Sequence, residues 1–152
     1  MNQKPGFLAR RFQQIAVAVF HAEVAAAGSD LTPVQYSALT MLRSHAGVDQ
    51  ATLAGLIAFD RTTIGGVIDR LEQRGLLSRR MHPSDRRARA LEITAGGAEW
   101  LDRVEPAVER AQSVMLSGLD ADEAAQFMAL LRKAVEGCNA LSRSPMQAAQ
   151  DS

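Results

Sequence analysis

The chain has 152 residues, 47% of them hydrophobic and 22% charged, which suits one globular domain or a domain with helical extensions. No stretch approaches the roughly 18 uninterrupted apolar residues of a membrane span. The start, MNQKPGFLARRFQQ, lacks the apolar run and cleavage site of a secretory leader, and the single cysteine, Cys138, excludes an internal disulfide, so a cytoplasmic protein is expected.

Charge balances over the whole chain but not locally. Residues 1–60 hold four Lys or Arg and four Asp or Glu, residues 61–89 hold eight Arg against three acids, and residues 90–152 hold five Lys or Arg against ten acids. A block of arginine suits bidentate contacts with phosphates and guanine edges. A general preference for arginine accounts for the residue type, but not for the clustering.

Few aromatics and many Ala, Leu and Arg favour helix over sheet. Residues 7–27, FLARRFQQIAVAVFHAEVAAA, predict a first helix with Leu8, Phe12, Ile15 and Val19 on one stripe and Gly28 as its stop. In LTPVQYSALTMLRSHAG, Thr32 suits an N-cap, Pro33 the first helical position and Gln35 a capping box, and Gly47 ends this second helix. DQATLAGLIAF predicts a short third helix capped by Asp49, with Leu53, Leu56 and Ile57 inward. Asp60 then caps a fourth helix, 61–74, across a link of about three residues. Its apolar residues Ile64, Val67, Ile68 and Leu71 keep helical spacing, and Gly75 stops it. A short helix, a tight turn and a longer helix with an open polar face form a helix-turn-helix pattern.

After Gly75 the period changes. LLSRRM and ARALEIT suit short strands, with Leu91 and Ile93 alternating with Glu92, and HPSDRR between them suits a turn. The pair predicts a β-hairpin with a basic tip, a wing. Thr94 caps a long helix to about Ser117, with Trp100, Leu101, Val104, Val108 and Met115 among its apolar positions and a kink expected at Pro106. Asp120, with Glu123 three residues on, starts a last helix whose stripe is Ala124, Phe127, Met128, Leu131, Ala134, Val135 and Cys138. The tail, 142–152, is expected to be disordered, and no internal repeat is visible. The fold class is therefore mainly α with a small β-hairpin.

Gly65 and Gly66 raise a question, since a glycine inside a helix costs roughly 1 kcal/mol relative to alanine. A helix-turn-helix lays its second helix in the major groove, N-terminal residues first, and small outward residues let the backbone approach DNA. Arg61, Thr62, Thr63, Gly65, Gly66, Asp69 and Arg70 lie off the apolar stripe. Threonine can donate to phosphate or pack on a thymine methyl, and arginine can read guanine or neutralise phosphate. Close helix–helix packing is the competing use of the glycines.

These residues resemble the MarR family of winged helix-turn-helix regulators over about residues 7–140. The resemblance is carried by DRRARALEIT in the wing, by DQATLAGLIAFDRTTIGGVIDRLEQRGLLSRR ahead of it, and by the order of elements. It implies a single domain over 1–152 that forms a homodimer through helices at 7–30 and 95–140, with a DNA-binding lobe at 32–94. Two recognition helices would then read a palindrome in double-stranded DNA about one helical turn, roughly 34 Å, apart. The resemblance places Asp85 and Arg86 at the wing tip, the arginine as minor-groove reader and the aspartate as its restraint, beside Ser84. Arg87 and Arg89 are expected near phosphates or at the hairpin base, and Arg89 is equally compatible with a solvated strand position.

Most members of that family release DNA when a small molecule binds. The candidate effector contacts here are Phe12, Phe20 and His21 on the first helix and Pro33, Tyr36 and Ser37 on the second, with Arg11 as a carboxylate partner. His21 can hydrogen-bond or charge-pair an acidic ligand, or serve as an interface histidine; Tyr36 can line a pocket or pack in the core. LTPVQYSAL and DRTTIGGVIDRLEQRGL look most like the branch responding to aromatic or N-heteroaromatic acids, nicotinate-pathway regulators included. The oxidation-sensing branch resembles a pattern with a cysteine near the first helix, which this sequence lacks; Cys138 is expected to be inert filler in the last helix.

An enzyme is disfavoured. His21, His45 and His82 lie in separate elements without metal-ligand spacing, and neither a P-loop nor a nucleophile elbow is present, so no catalytic residue, metal or cofactor is expected. The other alternative, a winged helix turned to protein partners, fits poorly with the arginine block.

Overall fold

The structure, a computed structural model, describes residues 4–81, 84 and 89–148. The chain divides into two compact units. One comprises the described residues of Met1–Pro33 and Arg103–Leu131, the other those of Val34–Asp102 and Arg132–Ser152. The start of the long helix and the end of the last one group with the helix-turn-helix.

The first unit is helical. α1 (Pro5–Ala26) opens with proline at a first-turn position, where a missing N–H costs nothing, and buries Phe20 and Val24. The second part of α5 (Ala95–Met115) contributes Val104, Ala107, Val108 and Ala111 to the core and runs through Pro106. α6 (Ala121–Gly137) begins with the expected reciprocal cap: Glu123 N–H donates to Asp120 Oδ1 at 2.9 Å and Asp120 N–H to Glu123 Oε2 at 3.0 Å. In this unit Phe12 of α1 meets Phe127 of α6 edge to face at 5.4 Å, and Arg110 Nε donates to Glu23 at 3.2 Å.

The second unit holds α2 from Val34 (the helix is Pro33–Ser44), α3 (Gln50–Leu56), α4 (Ile64–Gln73), β1 (Leu77–Met81) and β2 (Arg89–Ile93). Asp49 accepts from Thr52 N–H at 2.7 Å and caps α3 as expected. Leu39, Leu42, Leu53, Ile64, Ile68, Leu71, Leu77, Leu91 and Leu101 are fully buried and form its core. The strands pair antiparallel with Leu77 opposite Ile93 and Met81 opposite Arg89. Val48 adds a bridge to Leu91, a third short edge that the sequence does not announce.

Two glycines are structurally required here. Gly75 has φ +69°, the left-handed stop after α4. Gly97 lies in the first turn of α5, where a Cβ would stand 2.0 Å from the carbonyl oxygen of Leu76; that close approach seats α5 on the hairpin root. Thr94 completes the joint, donating to Gly75 O at 2.7 Å and accepting from Gly97 N–H at 3.0 Å.

Three expectations change. The link between α3 and α4 spans residues 57–63, because Asp60 caps a turn rather than α4 itself: Thr63 and Ile64 N–H donate to Asp60 O, and α4 begins at Ile64. Cys138 is not in the stripe of α6; it follows the helix and is exposed. Residues 142–148 of the tail, expected to be disordered, are laid against α3, with Gln147 N–H donating to Gly55 O at 2.9 Å.

Candidate nucleic-acid interface

α4 carries a sharply divided surface. Its buried face is Ile64, Val67, Ile68 and Leu71, as the spacing predicts. On the other side Arg61, Thr62, Thr63, Gly66, Asp69 and Arg70 are exposed and Gly65 is half-buried.

The glycines fall in the first turn of α4, where fewer helical bonds are at stake. A Cβ on Gly66 would meet only Arg70 Nη2, at 3.9 Å, and one on Gly65 would meet the Gln50 side-chain amide at 3.2 Å. Neither is pressed against another helix's backbone; Gly65 sits close under the Gln50 side chain of α3, while packing does not explain Gly66.

The turn ahead of α4 is built on Asp60. Its Oδ1 accepts from Thr62 N–H at 2.7 Å and from Thr62 Oγ1 at 2.8 Å, while Thr63 Oγ1 donates to Asp60 O at 3.3 Å. Both threonine hydroxyl protons are thus committed to the turn. The Thr62 backbone bond, then its hydroxyl, and to a lesser extent the nearby Arg143 charge hold the Asp60 carboxyl below its usual range.

The arginine block sorts into two kinds. Arg79, at the root of the wing, pairs with both Asp69 and Glu72 of α4, and its N–H donates to Glu72 Oε1 at 3.3 Å. Partial burial works against its charge, but the bonds to Asp69 and Glu72 outweigh that and raise its pKa. Arg80 pairs with Glu92 across the hairpin at 3.1 Å, and Arg74 stacks over the Trp100 ring at 6.0 Å. These three are structural. Arg61, Arg70 and Arg89 are exposed, and no ion pair joins them to another described residue. The Arg79 clamp was missed in the sequence, although Asp69 and Glu72 stand three apart, the spacing that puts two carboxylates on one helix face.

Ser84 is exposed between the strands; Asp85, Arg86 and Arg87 lie outside the described residues. Of the candidate effector contacts, Arg11 is exposed and donates to Gln14 at 3.1 Å, Phe12 is half-buried against Phe127, and Phe20 is buried with His21 edge-on at 6.1 Å. His21 is exposed, and Pro33, Tyr36 and Ser37 are half-buried on α2. Arg11, Phe12, Phe20, His21 and Pro33 belong to the first unit, Tyr36 and Ser37 to the second. Among the described residues, no group of His, Cys, Asp and Glu could hold a metal ion, and no helix is long and apolar enough to cross a membrane.

A short helix, a turn, a second helix with an open cationic face, and a hairpin directly downstream define a winged helix-turn-helix protein. Residues 31–88 match the MarR family. The transcriptional repressor NicR of Pseudomonas putida is 32% identical over 136 residues, covering 90% of this chain and 85% of NicR. The structure of Bordetella bronchiseptica BpsR, whose DNA binding is regulated by 6-hydroxynicotinic acid, matches with a TM-score of 0.82 at 30% identity, over 88% of this chain and 94% of that one. The repressor CouR bound to a 23-mer DNA duplex matches with a TM-score of 0.80 at 29% identity, over 88% and 93%. The chain belongs to the MarR family of transcriptional regulators, and is not an enzyme.

Proposed function

We propose that this chain is a homodimeric, cytoplasmic repressor that binds a palindromic operator and is released by a small aromatic or N-heteroaromatic carboxylate, such as a hydroxybenzoate or hydroxynicotinate. The observation that carries the DNA reading is the outward side of α4 and of the turn leading into it, where Arg61, Gly66 and Arg70 stand open while Arg79 and Arg80 are paired with carboxylates. Arg70 supplies a base-edge or phosphate contact, Arg61 sits at the leading end of the helix, and Gly65 and Gly66 allow backbone approach. Ser84, Asp85, Arg86, Arg87 and Arg89 supply the wing's contacts, with Arg86 in the minor groove.

Dimerisation is supported by apolar surface that the first unit leaves uncovered: Leu8 and Ile15 of α1, Val114 of α5, and Met128 and Leu130 of α6 are all more than 40% exposed. A second copy of the chain is the partner that the family supplies. The effector class is supported by BpsR, whose DNA binding responds to 6-hydroxynicotinic acid. Arg11 and His21 on α1 and Tyr36 and Ser37 on α2 are the polar candidates to recognise a carboxylate.

The deciding experiment is a gel-shift series in increasing salt on the DNA upstream of the chain's own gene. Saturable binding that resists competitor and weakens steeply with salt is expected, and Arg86→Ala should weaken it by roughly ten- to a hundredfold with the dimer intact. Absence of specific binding by a folded protein would overturn the reading. Calorimetry against benzoate, hydroxybenzoate and hydroxynicotinate tests the effector, and no heat at millimolar concentration with any of them would reject the class.

A further inference from the structure

The tail that follows α6 is built into the helix-turn-helix. After the short helical turn Asn139–Leu141, the Asn139 side chain brackets the segment, donating to Met146 O and accepting from Met146 N–H, both at 2.9 Å. Ser144 N–H donates to Ser142 Oγ at 3.1 Å. Gly55 O of α3, which accepts from Ala58 N–H at 3.3 Å, takes a second and shorter bond from Gln147 N–H at 2.9 Å. The Gln147 side chain lies over Gly55 so closely that a Cβ there would stand 2.5 Å from its Oε1.

This docking closes one side of a cavity of about 360 Å³ whose walls include Asp60, Arg61, Arg143, Ser144 and Gln147. Arg61 belongs to the turn that leads into α4, and Arg143 belongs to the tail. The cavity's carboxylate, Asp60, already accepts two bonds from Thr62, so the wall presents two cations against one satisfied anion. The tail leaves the outward face of α4 uncovered: Thr62, Thr63, Gly66 and Arg70 are exposed with it in place. A plug over the recognition surface would cover these residues.

We propose that the docked tail completes a phosphate site, in which Arg143 joins Arg61 to hold a backbone phosphate of bound DNA beside the leading end of α4. This rests on the DNA-binding reading and deepens it, adding a contact from outside the helix-turn-helix and the wing. Such a contact adds affinity without sequence preference.

The test is equilibrium binding of the full chain to its operator across a salt series. Each neutralised phosphate contributes about −0.9 to the slope of log affinity against log salt. Arg143→Ala should make the slope shallower by about that amount and weaken binding about fivefold at 0.15 M salt, equally on operator and on unrelated duplex. Arg143→Lys should keep the wild-type slope, since the charge is what releases the counterion, and removal of residues 143–152 should behave as Arg143→Ala does.

Wild-type slope and affinity in Arg143→Ala would overturn this inference while leaving the regulator reading standing. Tighter binding by the truncated chain would identify the tail as a plug and overturn it too. If the free wild-type chain binds inorganic phosphate and Arg143→Ala does not, while the DNA affinity and salt slope of the two are the same, the cavity takes a free anion instead of the DNA backbone and the inference is overturned. Failure of the wild-type chain to bind DNA specifically removes both readings together.

Discussion

α4 and α6 are both amphipathic helices, yet they end in opposite states. The stripe of α4 is spent inside its own unit: Ile64, Ile68 and Leu71 are fully buried and Val67 nearly so, leaving a polar face for an outside partner. The stripe of α6 is not spent; the helix has no buried residue, and Leu130 and Val135 are each 60% exposed. One helix is complete within the chain and offers its polar side. The other is incomplete and offers its apolar side, which water disfavours by about 25 cal/mol for each Å² left uncovered. The same periodicity therefore leaves two kinds of free surface, a polar one on α4 and an apolar one on α6, and the proposed function assigns them to nucleic acid and to a second copy of the chain.

The largest effect expected from breaking this contrast is on α4. Leu71→Ala should lower stability by about 3 kcal/mol, because a fully buried leucine leaves a cavity when truncated. Denaturant unfolding measures it, and a loss under about 1 kcal/mol would mean that the α4 stripe is not core. On α6 the corresponding change, Leu130→Glu, should leave helix content unchanged and reduce the mass seen by sedimentation from dimer toward monomer. A dimer that survives this substitution would place the interface elsewhere.

The second contrast concerns what holds each helix to its surroundings. α4 is tied to the wing by Arg79 through Asp69 and Glu72. Arg79→Ala should cost about 1 kcal/mol in stability, since Asp69 is exposed and Glu72 only half-buried, and pairs so open to solvent are worth little. Its effect on DNA binding should be larger than its effect on stability, because the clamp fixes the angle between two elements that must meet the duplex together. Equal losses in both would reduce Arg79 to an ordinary surface pair.

The caps at Asp49 and at Asp120 with Glu123, the stripe of α4 and the existence of the two hairpin strands were legible, because each is dictated by residues a few positions apart. The stripe of α6 was legible too, but which of its residues the chain leaves uncovered was not, since an apolar stripe reads the same whether its own chain or another covers it. The length of the α3–α4 link was misread because Asp60 is an equally good cap for a turn and for a helix. The tail was misread because Ser, Pro and Gln in SRSPMQAAQDS suit a solvated linker, and the bond from Gln147 to Gly55 joins residues far apart in sequence. Sorting the arginine block into structural and open members likewise needed three dimensions.

Ala58 shows the same limit in a single residue. It sits in the α3–α4 turn with φ +51°, a left-handed conformation that nothing about an alanine announces. Glycine would adopt it without the Cβ penalty but would lose more freedom on folding. Ala58→Gly should therefore stabilise the second unit by a net of roughly 0.5 kcal/mol, raising the thermal midpoint by about 1–2 °C. A lower midpoint would mean that the Ala58 methyl contributes packing that outweighs the backbone cost.

The smallest effect belongs to Asp60, and its sign follows from its bonds. The Thr62 N–H and hydroxyl both donate to the carboxylate, so folding favours its charged form and sets its pKa below the ordinary 3.8. A carboxyl depressed in the folded state contributes stability that is fully present above the unfolded value and is lost as pH falls through the folded one. In Asp60→Asn the amide oxygen can still accept both bonds but carries no charge. The midpoint difference between wild type and variant should hold steady from pH 7 to 5 and shrink below about pH 4. α6 provides the internal control, because Leu130→Lys in the Asp60→Asn background adds a charge that does not titrate below pH 7 and should shift assembly without altering that acid-limb behaviour. A wild-type advantage that stays constant down to pH 2 would show that the turn depends on the shape of Asp60 rather than on its charge.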